Sequence, residues 1–228
     1  MKVIFVRHGH PNYTNDCLTE IGHLHAAAAA ERLKESGIQE VYSSTSGRAV
    51  ETADYTAKML GLNVTQLEFM REITWGRGTE MYTEDTHPWN TVDHMIAAGE
   101  DLLEKNWREV KPFEGNLLCE HTKRIEAGID EWLAGHGYVR EGNFYRAGEN
   151  TGKTIALFSH GGSSTAVLAH LFNLPFPFVI GSIRPNFTAI TVVNFPDKPG
   201  ELVAPEFELV NDARHIEKIE AERVFGHS

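Results

Sequence analysis

Twice in this chain an apolar run ends in a histidine followed by glycine. Val3-Ile4-Phe5-Val6 reads as a fully buried strand, and Arg7-His8-Gly9-His10 follows it. Thr154-Ile155-Ala156-Leu157-Phe158 is a second run, and Ser159-His160-Gly161-Gly162 follows that. Open α/β sheets bind ligands beyond the carboxyl ends of their strands. If both strands lie in one parallel sheet, His8 and His160 emerge on the same edge. A neutral imidazole is a good nucleophile near pH 7. The planar fork of an arginine offsets charge on phosphoryl oxygens. Arg7 beside His8 therefore points to an anion held by the arginine and attacked by the histidine. Phosphoryl transfer is mostly positioning and electrostatics, and the leaving alkoxide takes a proton from a nearby carboxyl.

Five pieces stand in order along the chain. They are Val6-Arg7-His8-Gly9, Leu18-Thr19-Glu20-Ile21-Gly22, Tyr42-Ser43-Ser44 with Gly47-Arg48-Ala49-Val50-Glu51-Thr52-Ala53, Arg71-Glu72-Ile73, and Ser159-His160-Gly161-Gly162. In these pieces the chain resembles the histidine phosphatase superfamily, also called the phosphoglycerate mutase-like family. The resemblance implies a three-layer α/β/α sandwich with a mostly parallel central sheet. It implies that His8 takes up the phosphoryl group and that Arg7, Arg48 and His160 form the phosphate pocket. Glu72 matches the acidic residue that gives and takes the proton, with Glu68, Glu80 and Glu84 as nearby substitutes. The family also places a polar residue shortly after its Arg-His-Gly. Asn12 and Asn15 both fit, and the choice stays open. Many members follow the acid with Gly-x-Trp-Glu-Gly. Here Thr74-Trp75-Gly76-Arg77-Gly78-Thr79-Glu80 stands instead, so the substrate-facing loop is altered.

The elements that must position these residues alternate as α/β. Thr19 caps a helix expected over residues 20–35, ended by Gly37. Ala26 to Ala30 give it a small-residue face. Strands are expected at 40–43, 63–67 and 188–195, and a helix at 49–60, capped by Ser44-Thr45-Ser46 and stopped by Gly61. Residues 207–210 pair with 188–195 as an edge hairpin, with 196–200 as the turn. Residues 211–228 read as a tail or terminal helix. The whole chain, 1–228, reads as one domain with a helical insertion at about 79–150. That insertion carries Trp89, Trp107 and Trp132, with helical patterning over 91–110 and 120–133, and 138–152 reads as a loop. It either sits over the site, with Tyr82, His87 and His94 as candidate contacts, or packs as two helices on the sheet.

Composition bounds the rest. The 228 residues are 41% hydrophobic and carry a net charge of −11. That charge disfavours nucleic acid and anionic membranes. No apolar run approaches the ~20 residues of a membrane span. Cys17 and Cys119 have no zinc or CxxC spacing, which favours reduced thiols in a cytoplasm. The N-terminus leaves no room for a signal peptide.

The function read from these features is hydrolysis of a small-molecule phosphate ester through a phosphohistidine. No cofactor is expected, and no metal, because Arg7, Arg48 and two imidazoles supply the positive charge. Phosphoglycerate mutase-type transfer is the neighbouring alternative. A metal-dependent amidohydrolase-like enzyme using His8 and His10 is the alternative from another class, though it leaves Arg7, Arg48 and Gly161 without a role. A phosphate-binding module without catalysis is a third. Oligomeric state is open, with a homodimer as the assembly to test.

Overall fold

The computed structural model describes residues 1–77, 80–81, 87–149 and 152–225. Along the chain run β1 (Lys2–Arg7), the short pair β2 (Pro11–Asn12) and β3 (Cys17–Leu18), α1 (Glu20–Leu33), β4 (Glu40–Ser44), α2 (Gly47–Leu60), β5 (Val64–Leu67), and a second short pair, β6 (Gly76–Arg77) and β7 (Glu80–Met81). Then come α3 (Pro88–Ala97), α4 (Leu117–Gly135), β8 (Tyr138–Glu141), β9 (Phe144–Ala147), β10 (Thr154–Ser159), α5 (Gly161–Leu171), α6 (Phe176–Ser182), β11 (Ile190–Asn194), β12 (Leu202–Val203), β13 (Glu206–Asp212) and α7 (Glu217–Phe225).

Six strands form the central sheet in the order β13-β11-β1-β10-β4-β5. β1, β10, β4 and β5 are parallel, and β11 and β13 run against them. The alternating pleat gives the inner strands β1 and β10 two buried faces. Val3 and Phe5 join one core with Ile155, Leu157 and apolar residues of α4 and α5. Ile4 and Val6 join the other with Ala156, Phe158, Leu33 of α1 and Ala53 of α2. The result is the expected three-layer α/β/α arrangement. In the β1–β10 register Arg7 stands opposite Ser159. The next residues, His8 and His160, therefore leave the same sheet edge side by side.

Helix ends follow local chemistry. Thr19 Oγ1 accepts from Gly22 N–H at 3.2 Å to open α1. Gly61 closes α2 in the left-handed region, at φ 68°. Ala26, Ala29 and Ala30 are fully buried, and α1 packs closely on α2.

Four expectations change. The helix foreseen over 91–110 ends at Ala97, where Ala98 caps it and Gly99 turns at φ 70°. In place of the expected loop, residues 138–147 form a hairpin, β8–β9, joined by β12. Its Gly142 and Asn143 are the turn of two short strands whose Tyr138, Tyr145 and Ala147 are buried. β11 and β13 pair as expected, but the segment between them detours through β12 instead of turning directly. Ser46 sits at the N-cap of α2 without a side-chain bond, and Asp16 Oδ2 accepts from Gly47 N–H at 2.8 Å in its place. Within residues 79–150, α4 packs into the core through Leu118, Ile125, Ile129 and Leu133. α3 lies on α6, where a Cβ at Gly181 would stand 2.8 Å from Val92. No helix among the described residues is long and apolar enough to cross a membrane.

Candidate active site

His8 is fixed by its backbone. Its N–H donates to Ser159 O at 2.9 Å, and its carbonyl accepts from Thr188 N–H at 3.3 Å. The next residue must be glycine, because a Cβ at Gly9 would stand 2.6 Å from the carbonyl oxygen of Gly22. Nδ1 of His8 lies 2.7 Å from the Gly9 carbonyl, which only accepts. Nδ1 therefore carries the proton and Nε2 keeps its lone pair. The ring is 2% exposed. Burial, then the charges of Arg7 and Arg48, push its pKa down to about 3. At neutral pH His8 is an uncharged imidazole between two guanidiniums.

Arg48, in the first turn of α2, ties the cluster together. Its Nε–H points at His8 Nε2 from 3.3 Å, and one terminal nitrogen donates to His160 Nδ1 at 3.0 Å. The other terminal nitrogen is ion-paired with Asp16. Asp16 also caps α2, so one carboxylate fixes the helix and its arginine. His160 is fully buried at the N-cap of α5. Its Nε2 lies 2.8 Å from Ser44 Oγ, at the end of β4. The His8 and His160 rings meet nearly edge to face, 5.2 Å between centroids. Burial, then His8 and Arg48, hold His160 well below the ordinary histidine range.

Arg7 is held from the opposite side. It donates to Pro185 O at 2.6 Å, and its guanidinium lies 4.4 Å above the Phe187 ring. Its buried Nε–H has no partner among the described residues.

Glu72 lies across the first turn of α5. Oε1 accepts from Ser163 N–H at 2.8 Å and Ile73 N–H at 2.9 Å, and Oε2 accepts from Gly162 N–H at 3.2 Å. Burial pushes its pKa up, while these donors and Arg7 pull it back. The net shift is upward.

Arg7, His8, Arg48 and Glu72 line one cavity of about 490 Å³. His160 stands behind Arg48. The structure thus gathers all five candidate site residues. Glu68 is exposed and bound to Thr45, at 2.7 Å. The side chain of Glu80 and all of Glu84 and Tyr82 lie outside the described residues. Neither Asn12 nor Asn15 lines the cavity; Asn12 Oδ1 accepts from Thr14 and Asn15 N–H in its own turn. His87 lines the cavity, and His94 is exposed on α3. Trp107 and Trp132 are core residues. His10 has Nδ1 3.0 Å from Thr19 Oγ1 and its ring on Phe187. Among the described residues no three His, Cys, Asp or Glu side chains are grouped to hold a metal ion.

A family model for the histidine phosphatase superfamily (branch 1) matches residues 3–207. The chain belongs to the histidine phosphatase superfamily. Within that superfamily it is 28% identical over 156 residues to the probable phosphoglycerate mutase GpmB of Escherichia coli, a match covering 60% of this chain and 70% of that one. Its fold is similar to that of a phosphoserine phosphatase from Entamoeba histolytica in complex with phosphoserine, with TM-score 0.64 and 23% identity over 94% of this chain and 98% of the other. A mycobacterial glucosyl-3-phosphoglycerate phosphatase superposes with TM-score 0.62 at 22% identity, covering 92% of this chain and 98% of its own.

For a histidine phosphatase the cluster holds two residues that the sequence reading passed over. Asp16 has no motif around it and acts only through the folded β2–β3 pair. Tyr13 lines the cavity and places its ring 5.4 Å from the Arg48 guanidinium.

Proposed function

We propose that this histidine phosphatase superfamily member hydrolyses small phosphomonoesters through a phosphohistidine at His8. The observation that carries the reading is the state of His8: buried, neutral, Nε2 unprotonated, and flanked by Arg7 and Arg48 with Glu72 on the same cavity. The arginines offset charge on the phosphoryl oxygens. Nε2 attacks phosphorus, the P–O bond to the organic group breaks, and the alkoxide takes the proton of Glu72. Water then attacks the phosphohistidine, gives its proton to the Glu72 carboxylate, and frees phosphate and His8. His160 positions Arg48. Phosphatase names among the structural neighbours support hydrolysis. The free cysteines Cys17 and Cys119 fit the cytoplasm as its place of work.

Mutase-type transfer is the second reading, favoured by the likeness to GpmB. It differs only in that a substrate hydroxyl replaces water. Phosphate release from a panel of esters, followed at several pH values with 3-phosphoglycerate included, separates the two. Hydrolysis predicts stoichiometric free phosphate and no isomerised ester. Isomer formed faster than phosphate would establish the mutase. Activity is expected to survive excess EDTA, and loss with EDTA plus rescue by zinc or manganese would overturn the metal-free reading.

A further inference from the structure

The phosphate-binding residues account for only part of the cavity. The rest of its described lining includes Trp75, Trp89, Ile73 and Ile180. It includes no lysine, no further arginine and no second carboxylate. His87 is there too, but burial and the nearby Arg7 lower its pKa, so it is uncharged at neutral pH.

The aromatic wall is built, not incidental. Trp89 opens α3 and stacks on His87, 4.6 Å between centroids at 14°. Its ring comes so near the start of α5 that a Cβ at Gly161 would lie 3.1 Å from it. Trp75 is 5% exposed and is held edge-on by Phe113 at 5.7 Å. Trp89 also has a buried Nε1–H without a partner among the described residues. A fixed apolar wall with one spare donor suits a flat organic group carrying few polar atoms. It suits a carboxylate poorly, because among the described lining residues the only cations are Arg7 and Arg48, which the phosphate engages.

Resting on the phosphatase reading above, we propose that the organic part of the substrate is an uncharged, largely apolar group seated against Trp89 and Trp75. The site thereby selects against phosphoesters that carry a carboxylate. A second, polar groove shares Arg48, Glu72 and Ile73 with the cavity and is lined by Arg71, Arg124 and His121. It is the competing place for an anionic organic part.

The test compares 2-phenylethyl phosphate with O-phosphoserine and 3-phosphoglycerate, all alkyl esters, so that leaving-group chemistry is matched. The full chain is expected to favour the phenylethyl ester by about 10²-fold in kcat/KM, the advantage that burying one ring supplies. Trp89→Ala should reduce that preference at least tenfold, mainly through KM. Trp89→Phe keeps an aromatic ring against the folded wall and should retain most of it. Arg124→Ala should leave the preference within about twofold. Carboxylated esters turned over as well as the phenylethyl ester, or a preference unmoved by Trp89→Ala, would overturn the proposal while leaving the phosphatase intact. Loss of carboxylated-ester turnover in Arg124→Ala would place the organic part in the polar groove and overturn it too. If no ester is hydrolysed and vanadate does not bind, the phosphatase reading itself falls, and this proposal with it.

Discussion

A Cβ added to Gly162 would stand 2.7 Å from Oε1 of Glu72 and 2.5 Å from Ile73. The carboxyl proposed as the acid and the helix that receives it fit only because one residue has no side chain. Gly162→Ala should therefore displace Glu72 and lower kcat on alkyl phosphates by about 10-fold or more, while the protein stays folded. Circular dichroism beside steady-state rates checks this. Unchanged rates would mean that Glu72 need not lie across α5 during turnover.

Glu72 itself is tested by leaving group. An alkyl phosphate needs the proton, whereas nitrophenyl phosphate departs largely without it. Glu72→Gln should harm single-turnover phosphorylation by alkyl esters far more than by the aryl ester. Equal losses on both would remove Glu72 as the acid.

The two shifted groups set opposite limbs of the pH profile. His8 is lowered to about 3, so the nucleophile stays unprotonated across the working range. Glu72 is raised, so the acid loses its proton only above the ordinary carboxylate range. Activity on alkyl esters should hold on the acid side and fall as pH rises through the Glu72 ionisation. Glu72→Gln should flatten that fall relative to wild type. The ionisation of the phosphate is common to both proteins and cancels in the comparison. A wild-type acid limb near pH 6.5 would show that His8 titrates as an ordinary histidine.

Stability carries the same signature. Between about pH 6.5 and 3 the unfolded chain takes up a proton at His8 that the folded chain refuses. The stability that His8 contributes is therefore full above about 6.5 and declines as pH falls, by up to about 1.4 kcal/mol per pH unit for such a group. Urea midpoints at pH 7 and pH 4.5 should differ less in His8→Asn than in wild type.

The Asp16–Arg48 pair gives a further expectation. Asp16 holds both the guanidinium and the N-terminus of α2. Asp16→Ala should release Arg48 and raise the inhibition constant of vanadate. Arg48→Ala should cost about 10²-fold in rate, as loss of one charge-stabilising donor does. An Asp16→Ala protein with unaltered vanadate binding would show that Arg48 holds its place without the clamp.

Much of this could be read from the sequence because it is local. Val3 to Val6 and Ile155 to Phe158 announce buried strands by their apolar runs, and each histidine follows at once. Thr19 and Gly61 mark helix ends by chemistry confined to one turn. What could not be read depends on contacts across the chain. Asp16 takes up the role expected of the Ser44–Ser46 segment only because β2–β3 folds back on α2. The β8–β9 hairpin hid behind its Gly142-Asn143 turn, since short strands carry weak periodicity. The departure from the family pattern at Thr74 to Glu80 was visible, but Trp75 and Trp89 share a wall only through tertiary packing.

The central place of β1 reaches into the synthesis of the protein. Its neighbours, β10 and β11, are both made in the last third of the chain. A nascent chain therefore displays His8 long before the strands that flank it exist. The Thr188 amide and the His160 imidazole arrive later still than the arginines. The surroundings of His8 are therefore completed only by segments that lie far downstream of it in the chain.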